Sequence, residues 1–254
     1  MTRFIAFINE KGGTGKTTLA VNIASYFATK KNRRVLLVDL DTQGHAGKSL
    51  GVDSRASAPN IFHLLTDSSV SLDSVTRSTA LQNLWVIPSW KEMAEFPTLA
   101  AGDSERALRL RQRVAEPATG RYDVVIYDSP PSLGLVSTNI LVACEEVVVP
   151  VATTYLALDG CAEIEATVLK IAQTLNPNVR VTAVIPTMYR KTALSDEIVA
   201  KLNGHFPRKV TSPFGFNVAI DEAQSHGKTI WEYAPWSRGA VMLQGIADVV
   251  DRGS

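Results

Sequence analysis

Asn9-Glu10-Lys11-Gly12-Gly13-Thr14-Gly15-Lys16-Thr17-Thr18 follows the apolar run Phe4-Ile5-Ala6-Phe7-Ile8 and leads into Leu19-Ala20-Val21-Asn22-Ile23-Ala24. A short buried strand, a glycine-rich turn and a helix therefore succeed one another without a gap. That is the context a phosphate-binding loop needs. Small residues let backbone N–H groups approach the phosphates, and a helix N-terminus adds positive potential. Gly12, Gly13, Thr14 and Gly15 supply the cradle, Lys16 would reach the β- and γ-phosphates, and the Thr17 hydroxyl, followed by Thr18, would ligate Mg²⁺. The plain alternative is an ordinary glycine-rich turn between strand and helix. We read the stretch as a nucleotide site with ATP and Mg²⁺ as its ligands.

Working outward, apolar strands and helices alternate along almost the whole chain, which predicts one α/β domain over residues 1–254. Its sheet is expected to be mostly parallel and twisted, with helices on both faces. Val35-Leu36-Leu37-Val38-Asp39 and Tyr122-Asp123-Val124-Val125-Ile126-Tyr127-Asp128 are strands that end in an acid. Leu84–Pro88, Glu146–Val151 and Val181–Pro186 read as further strands. Leu158, Cys161, Ile164, Val168, Ile171 and Leu175 recur at steps of three and four on one helix face. Residues 195–203 and a segment from Ser237, with Leu243, Ile246 and Val250 inward, are expected helices. A short strand is expected near Lys209-Val210. Residues 47–103 carry little periodicity. Ser104 is expected to cap a helix from Glu105 to Val114, whose four arginines read as a solvated face.

Acids at the carboxyl ends of parallel strands fall at the same sheet edge as the loop after the first strand, where such sheets place ligands. Asp128 closes its run in the manner of a Walker B acid and is expected in the Mg²⁺ shell, with Asp39 in the metal's outer shell. Asp41 lies two residues past the second strand.

Lys11-Gly12-Gly13-Thr14-Gly15-Lys16-Thr17-Thr18 resembles the deviant Walker A loop of the ParA/MinD family of ATPases. Asp39-Leu40-Asp41-Thr42-Gln43-Gly44 is similar to that family's Asp-x-Asp-Pro-Gln-Gly segment, with Thr42 where proline is usual. The resemblance implies that Lys11 crosses a dimer interface to touch the partner's nucleotide, and that Asp41 positions or activates the attacking water. The stretch from Asn217 to Ala240 resembles the end of chromosome- and plasmid-partition ATPases. It implies that Asn217 meets the nucleotide base. Phe216 and Ala219 stand at positions that are basic in the family, so the implied DNA contacts are expected at Arg190, Lys191, Lys209, Lys228 and Arg238. The activity implied is partner-stimulated ATP hydrolysis in an ATP-dependent homodimer that binds DNA without sequence preference. The stimulating partner would be ParB-like or another cargo adaptor.

The formal net charge of +1 gives no bulk attraction to nucleic acid, so DNA binding requires a local patch. The N-terminal apolar run is too short for a signal-peptide core, and no segment has the roughly 18 apolar residues of a membrane span. With two cysteines and no close pairing, a cytoplasmic, nucleoid-associated protein is expected. A positioning ATPase for a cargo other than DNA would use the same residues. A MinD-like membrane regulator would need a basic amphipathic C-terminal helix, which Asp248–Ser254 is not. An electron-transfer relative of the nitrogenase iron protein would need cysteines in loops, whereas Cys144 and Cys161 lie in apolar segments and read as packing residues.

Overall fold

The computed structural model describes residues 1–155 and 157–253. The loop's flanks form β1 (Arg3–Phe7) and α1 (Lys16–Thr29), followed by β2 (Val35–Asp39) and α2 (His45–Ser49). The weakly patterned stretch contributes α3 (Ile61–Thr66), α4 (Leu72–Val75), β3 (Arg77–Ser78), β4 (Leu84–Ile87) and α5 (Phe96–Leu99). Then come α6 (Glu116–Ala118), β5 (Val124–Asp128), α7 (Leu135–Ala143), β6 (Glu146–Ala152), α8 (Ala157–Thr174) and β7 (Arg180–Thr187). The chain closes with α9 (Ala193–His205), α10 (Val218–Ser225), α11 (Ile230–Tyr233) and α12 (Arg238–Arg252).

The sheet runs β3-β4-β2-β5-β1-β6-β7. Every pairing is parallel except that of β3, which lies antiparallel at the edge against β4. Side-chain alternation along β1 sorts the core into two layers. Phe4, Ala6 and Ile8 face a cluster with α3, α7 and α8, while Ile5 and Phe7 face one with α1 and α12. The α/β expectation holds. The register then builds the site, since Phe7 pairs with Asp128 and Asp128 with Asp39. The ends of β1, β5 and β2 are therefore level at one edge.

Two expected elements differ. No regular helix runs from Glu105 to Val114. Turns lead instead into a π-helical turn at Arg111–Ala115, where Pro117 follows closely and lacks the N–H a continuing helix needs. Of the four arginines in this stretch, Arg106 and Arg111 are exposed as expected, and the other two turn inward. Arg109 pairs with Asp103, and Arg113 donates to the carbonyls of Leu64, Asp67 and Val70. The strand near Lys209-Val210 reduces to a single bridge between Val210 and Val184. The helix from Ser237 forms with its cap and its inward Leu243, Ile246 and Val250. Both cysteines are buried in the core, Cys161 with its thiol pushed up to about 12 by burial.

Asn22 joins the C-terminal helices to α1. Its side-chain oxygen accepts from the Ile230 N–H at 2.9 Å, its amide donates to the Thr18 carbonyl, and the Trp231 indole donates to its backbone carbonyl at 2.8 Å. Asn22→Ala leaves the buried Ile230 N–H without an acceptor, which should cost about 1–3 kcal/mol. Urea unfolding of the variant checks this, and an unchanged midpoint would show that water replaces the bond.

Candidate nucleotide site

The loop after β1 is pinned at its root by Asn9. Its amide donates to the Pro150 carbonyl at 2.6 Å, and its side-chain oxygen accepts from the Lys11 N–H at 2.9 Å. One buried side chain thus ties the loop to β6, a role the sequence reading missed. The one cue was a polar residue directly after an apolar run. Gly13 and Gly15 sit at φ of 72° and 81°, the left-handed region that a side chain strains. Gly15 caps α1 with no side-chain hydrogen bond, so the first-turn N–H groups are left for an anion.

Lys16 is buried and its ammonium donates to the Lys11 carbonyl at 3.0 Å. Burial lowers its pKa, opposed by the nearby Asp128 and Asp41 carboxylates. The Lys11 side chain lies along α8, where a Cβ added to Gly160 would come within 3.4 Å of its Cε and 3.3 Å of Glu10 Oε1. Glu10 meets Glu163 of α8 there, and its pKa is raised first by burial and then by that hydrogen bond.

The two strand-end acids differ in their partners. Asp39 accepts from the Asp41 and Ala46 N–H groups, each at 3.0 Å, so both its oxygens hold the loop that carries Asp41. Asp128 is fully buried, and neither of its oxygens has a hydrogen bond of ordinary geometry. Burial raises its pKa to about 7, although the Thr17 hydroxyl and the Lys16 ammonium draw it down. A buried carboxyl with no partner, facing a hydroxyl and an ammonium, fits a divalent cation. Hard oxygen donors suit Mg²⁺, which keeps several waters and takes one or two carboxylates. Asp41 itself accepts from the Gln43 N–H at 3.0 Å, at the rim of the loop.

A family model described as an AAA domain matches residues 2–181. The chain is similar to the chromosome-partitioning ATPase Soj of Thermus thermophilus, with 38% identity over 250 residues, covering 98% of this chain and 95% of that protein. It is also similar to the sporulation initiation inhibitor protein Soj of Bacillus subtilis, 36% identical over 252 residues and covering 98% of both chains. The chain belongs to the ParA/MinD family, among the ParA-type partition ATPases. Among solved structures, it resembles cobyrinic acid a,c-diamide synthase of Mycobacterium smegmatis with a bound ATP analogue and magnesium. The TM-score is 0.85 at 28% identity, over 99% of this chain and 95% of that one.

In this ParA-type chain the wall beyond the loop comes from the C-terminal segments. Gly15, Thr18, Met188, Phe216 and Asn217 line one pocket, with the Asn217 oxygen buried and without a hydrogen-bond partner. Gln224 of α10 donates to the Thr18 hydroxyl at 3.0 Å, which sets that wall against α1. The expected DNA residues come from several segments. Arg190 and Lys191 follow β7, and Lys209 is half-buried beside it. Lys228 lies between α10 and α11, and Arg238 opens α12. Phe216, at a basic family position, is 71% exposed.

The raised Asp128 pKa has a stability consequence in protein without nucleotide or metal. The folded state holds its proton to about pH 7 while the unfolded state releases it near 3.8, so stability is present at low pH and lost as pH rises through that interval. Asp39, also raised by burial and by Asp128, acts in the same direction. Thermal melts in EDTA should show Tm falling from pH 4 to pH 7, and falling less in Asp128→Asn. An equally steep fall in the variant would assign the effect elsewhere.

Proposed function

We propose that this chain is an ATP-dependent dimerisation switch that partitions DNA, acting as one domain over residues 1–254. The observation that carries the reading is the orphaned Asp128 carboxyl, buried beside Thr17 and Lys16 at the mouth of the phosphate loop. In the proposed mechanism the N–H groups of Gly12 to Thr18 hold the phosphates and Lys16 leaves the Lys11 carbonyl for the β/γ-oxygens. Thr17 and Asp128 would hold the metal, and Asp39 stays behind them as the clamp of the Asp41 loop. Magnesium, when bound, neutralises charge on the transferred phosphoryl group.

Asp41 orients the attacking water in this reading, and Asn217 meets the base. Lys11 swings from α8 to the nucleotide of a second copy, so hydrolysis and dimer closure share one residue. A ParB-like or other adaptor protein stimulates hydrolysis. The relatives named for chromosome partitioning support DNA as the cargo. Among the described residues no helix is long and apolar enough to cross a membrane. We place the protein in the cytoplasm, on the nucleoid.

Labelled-ATP binding tests the reading at its root. Lys16→Ala should abolish it, because the phosphates lose their main cation, and near-normal affinity would remove the phosphate-loop assignment. Asp41→Ala should keep ATP bound while hydrolysis slows by roughly 10²–10⁴-fold, the usual worth of such a group. Hydrolysis at the parental rate would hand the water to another residue. Lys11→Ala should bind ATP yet fail to dimerise in sedimentation runs. An ATP-dependent dimer of unchanged stability would refute the intermolecular role.

A further inference from the structure

Trp90 lies between three cations. The Lys48 ammonium stands 4.8 Å from its ring centre, the Arg55 guanidinium 5.2 Å and the Lys91 ammonium 5.8 Å. All three residues are exposed, whereas Trp90 is half-buried. They come from separate segments: α2, the loop before α3, and the 3₁₀ turn Lys91–Glu95. Ion pairs neutralise several basic side chains, as in Arg34 with Asp123, Arg109 with Asp103 and Arg121 with Asp73, but not the three cations around Trp90. Among the described residues these three form no ion pair. Lys48 donates only to the Gln43 carbonyl, and Asp53 turns its carboxylate onto the Arg55 backbone N–H.

The cluster continues toward the C-terminal segments. A Cβ added to Gly227 would meet Gly51 Cα at 3.1 Å and the Lys48 carbonyl at 3.3 Å, so the turn carrying the exposed Lys228 packs on the end of α2. Helix α2 also lines one groove with Thr17, Thr18 and Gln224, beside the nucleotide loop. Like charges gathered on one ring repel one another, and a polyanion relieves that repulsion while releasing its own counterions. Exposed cations from three segments, their charged heads grouped about one aromatic ring, offer several contacts to a line of phosphates.

We propose that Lys48, Arg55 and Lys91 around Trp90, continued by Lys228, form a surface on which the phosphate backbone of duplex DNA lies. The inference rests on the partition reading for its polyanion and adds where the polyanion is held. It places the DNA surface on the α2 side of the molecule, where the basic positions replaced by Phe216 and Ala219 are not required.

The test compares two double charge reversals that change net charge equally. Arg55→Glu/Lys91→Glu lies on the surface, and Lys30→Glu/Lys170→Glu lies away from it. Each chain, loaded with a non-hydrolysable ATP analogue, is titrated with a labelled duplex of arbitrary sequence across a salt series. Unchanged ATP affinity in both shows that both are folded. The surface variant should lose about tenfold or more in affinity. Its salt slope should drop by nearly two for each subunit on the duplex, at about 0.9 per phosphate contact, with the control close to wild type. Equal losses in both variants, or none in the surface variant while wild type binds, would overturn the proposal and leave the partition reading standing. No duplex binding by wild type at low salt would overturn both. In that case, binding of poly-glutamate that the surface variant weakens would assign the patch to an acidic protein.

Discussion

Two buried carboxyls set side by side at the end of a parallel sheet are the constraint around which this molecule is arranged. The register that pairs Asp39 with Asp128 cannot be relaxed without shifting β2 against β5, and both strands are buried throughout. Burial raises both pKa values, and each group meets the cost differently. Asp39 satisfies itself with two backbone N–H groups and so shapes the loop after β2. Asp128 has no such partners and leaves its oxygens toward Thr17. One acid builds the site and its neighbour equips it, though their sequence contexts are alike.

Much of this was legible from residues alone, for identifiable reasons. Apolar runs ending in acids mark buried parallel strands, and the glycines with Lys16 and Thr17 mark the loop between β1 and α1. What was not legible depends on partners distant in sequence. Nothing around Asn9 announces Pro150, and nothing around Asn22 announces Ile230 and Trp231. The division of labour between Asp39 and Asp128 likewise follows from backbone groups that only the folded loop supplies. The Glu105–Val114 stretch misled because arginine spacing resembles a solvated helix. Arg113 instead reaches carbonyls of the α3 end, in a region whose own sequence lacks periodicity.

The basic residues illustrate the same limit. Read along the chain, Lys48, Arg55 and Lys91 belong to an uninformative stretch and sit far apart. In the folded chain these three converge on Trp90. A chain with almost no net charge can hold a polyanion only where neutralising acids have been kept away, and that is a property of packing.

Helix α1 carries a further consequence. Its first turn faces the phosphate loop, Thr18 meets Gln224, and one turn later Asn22 holds the start of α11. The loop and the C-terminal wall are therefore two jaws fixed to a single rod. A displacement of either jaw is thus carried to the other through one helix.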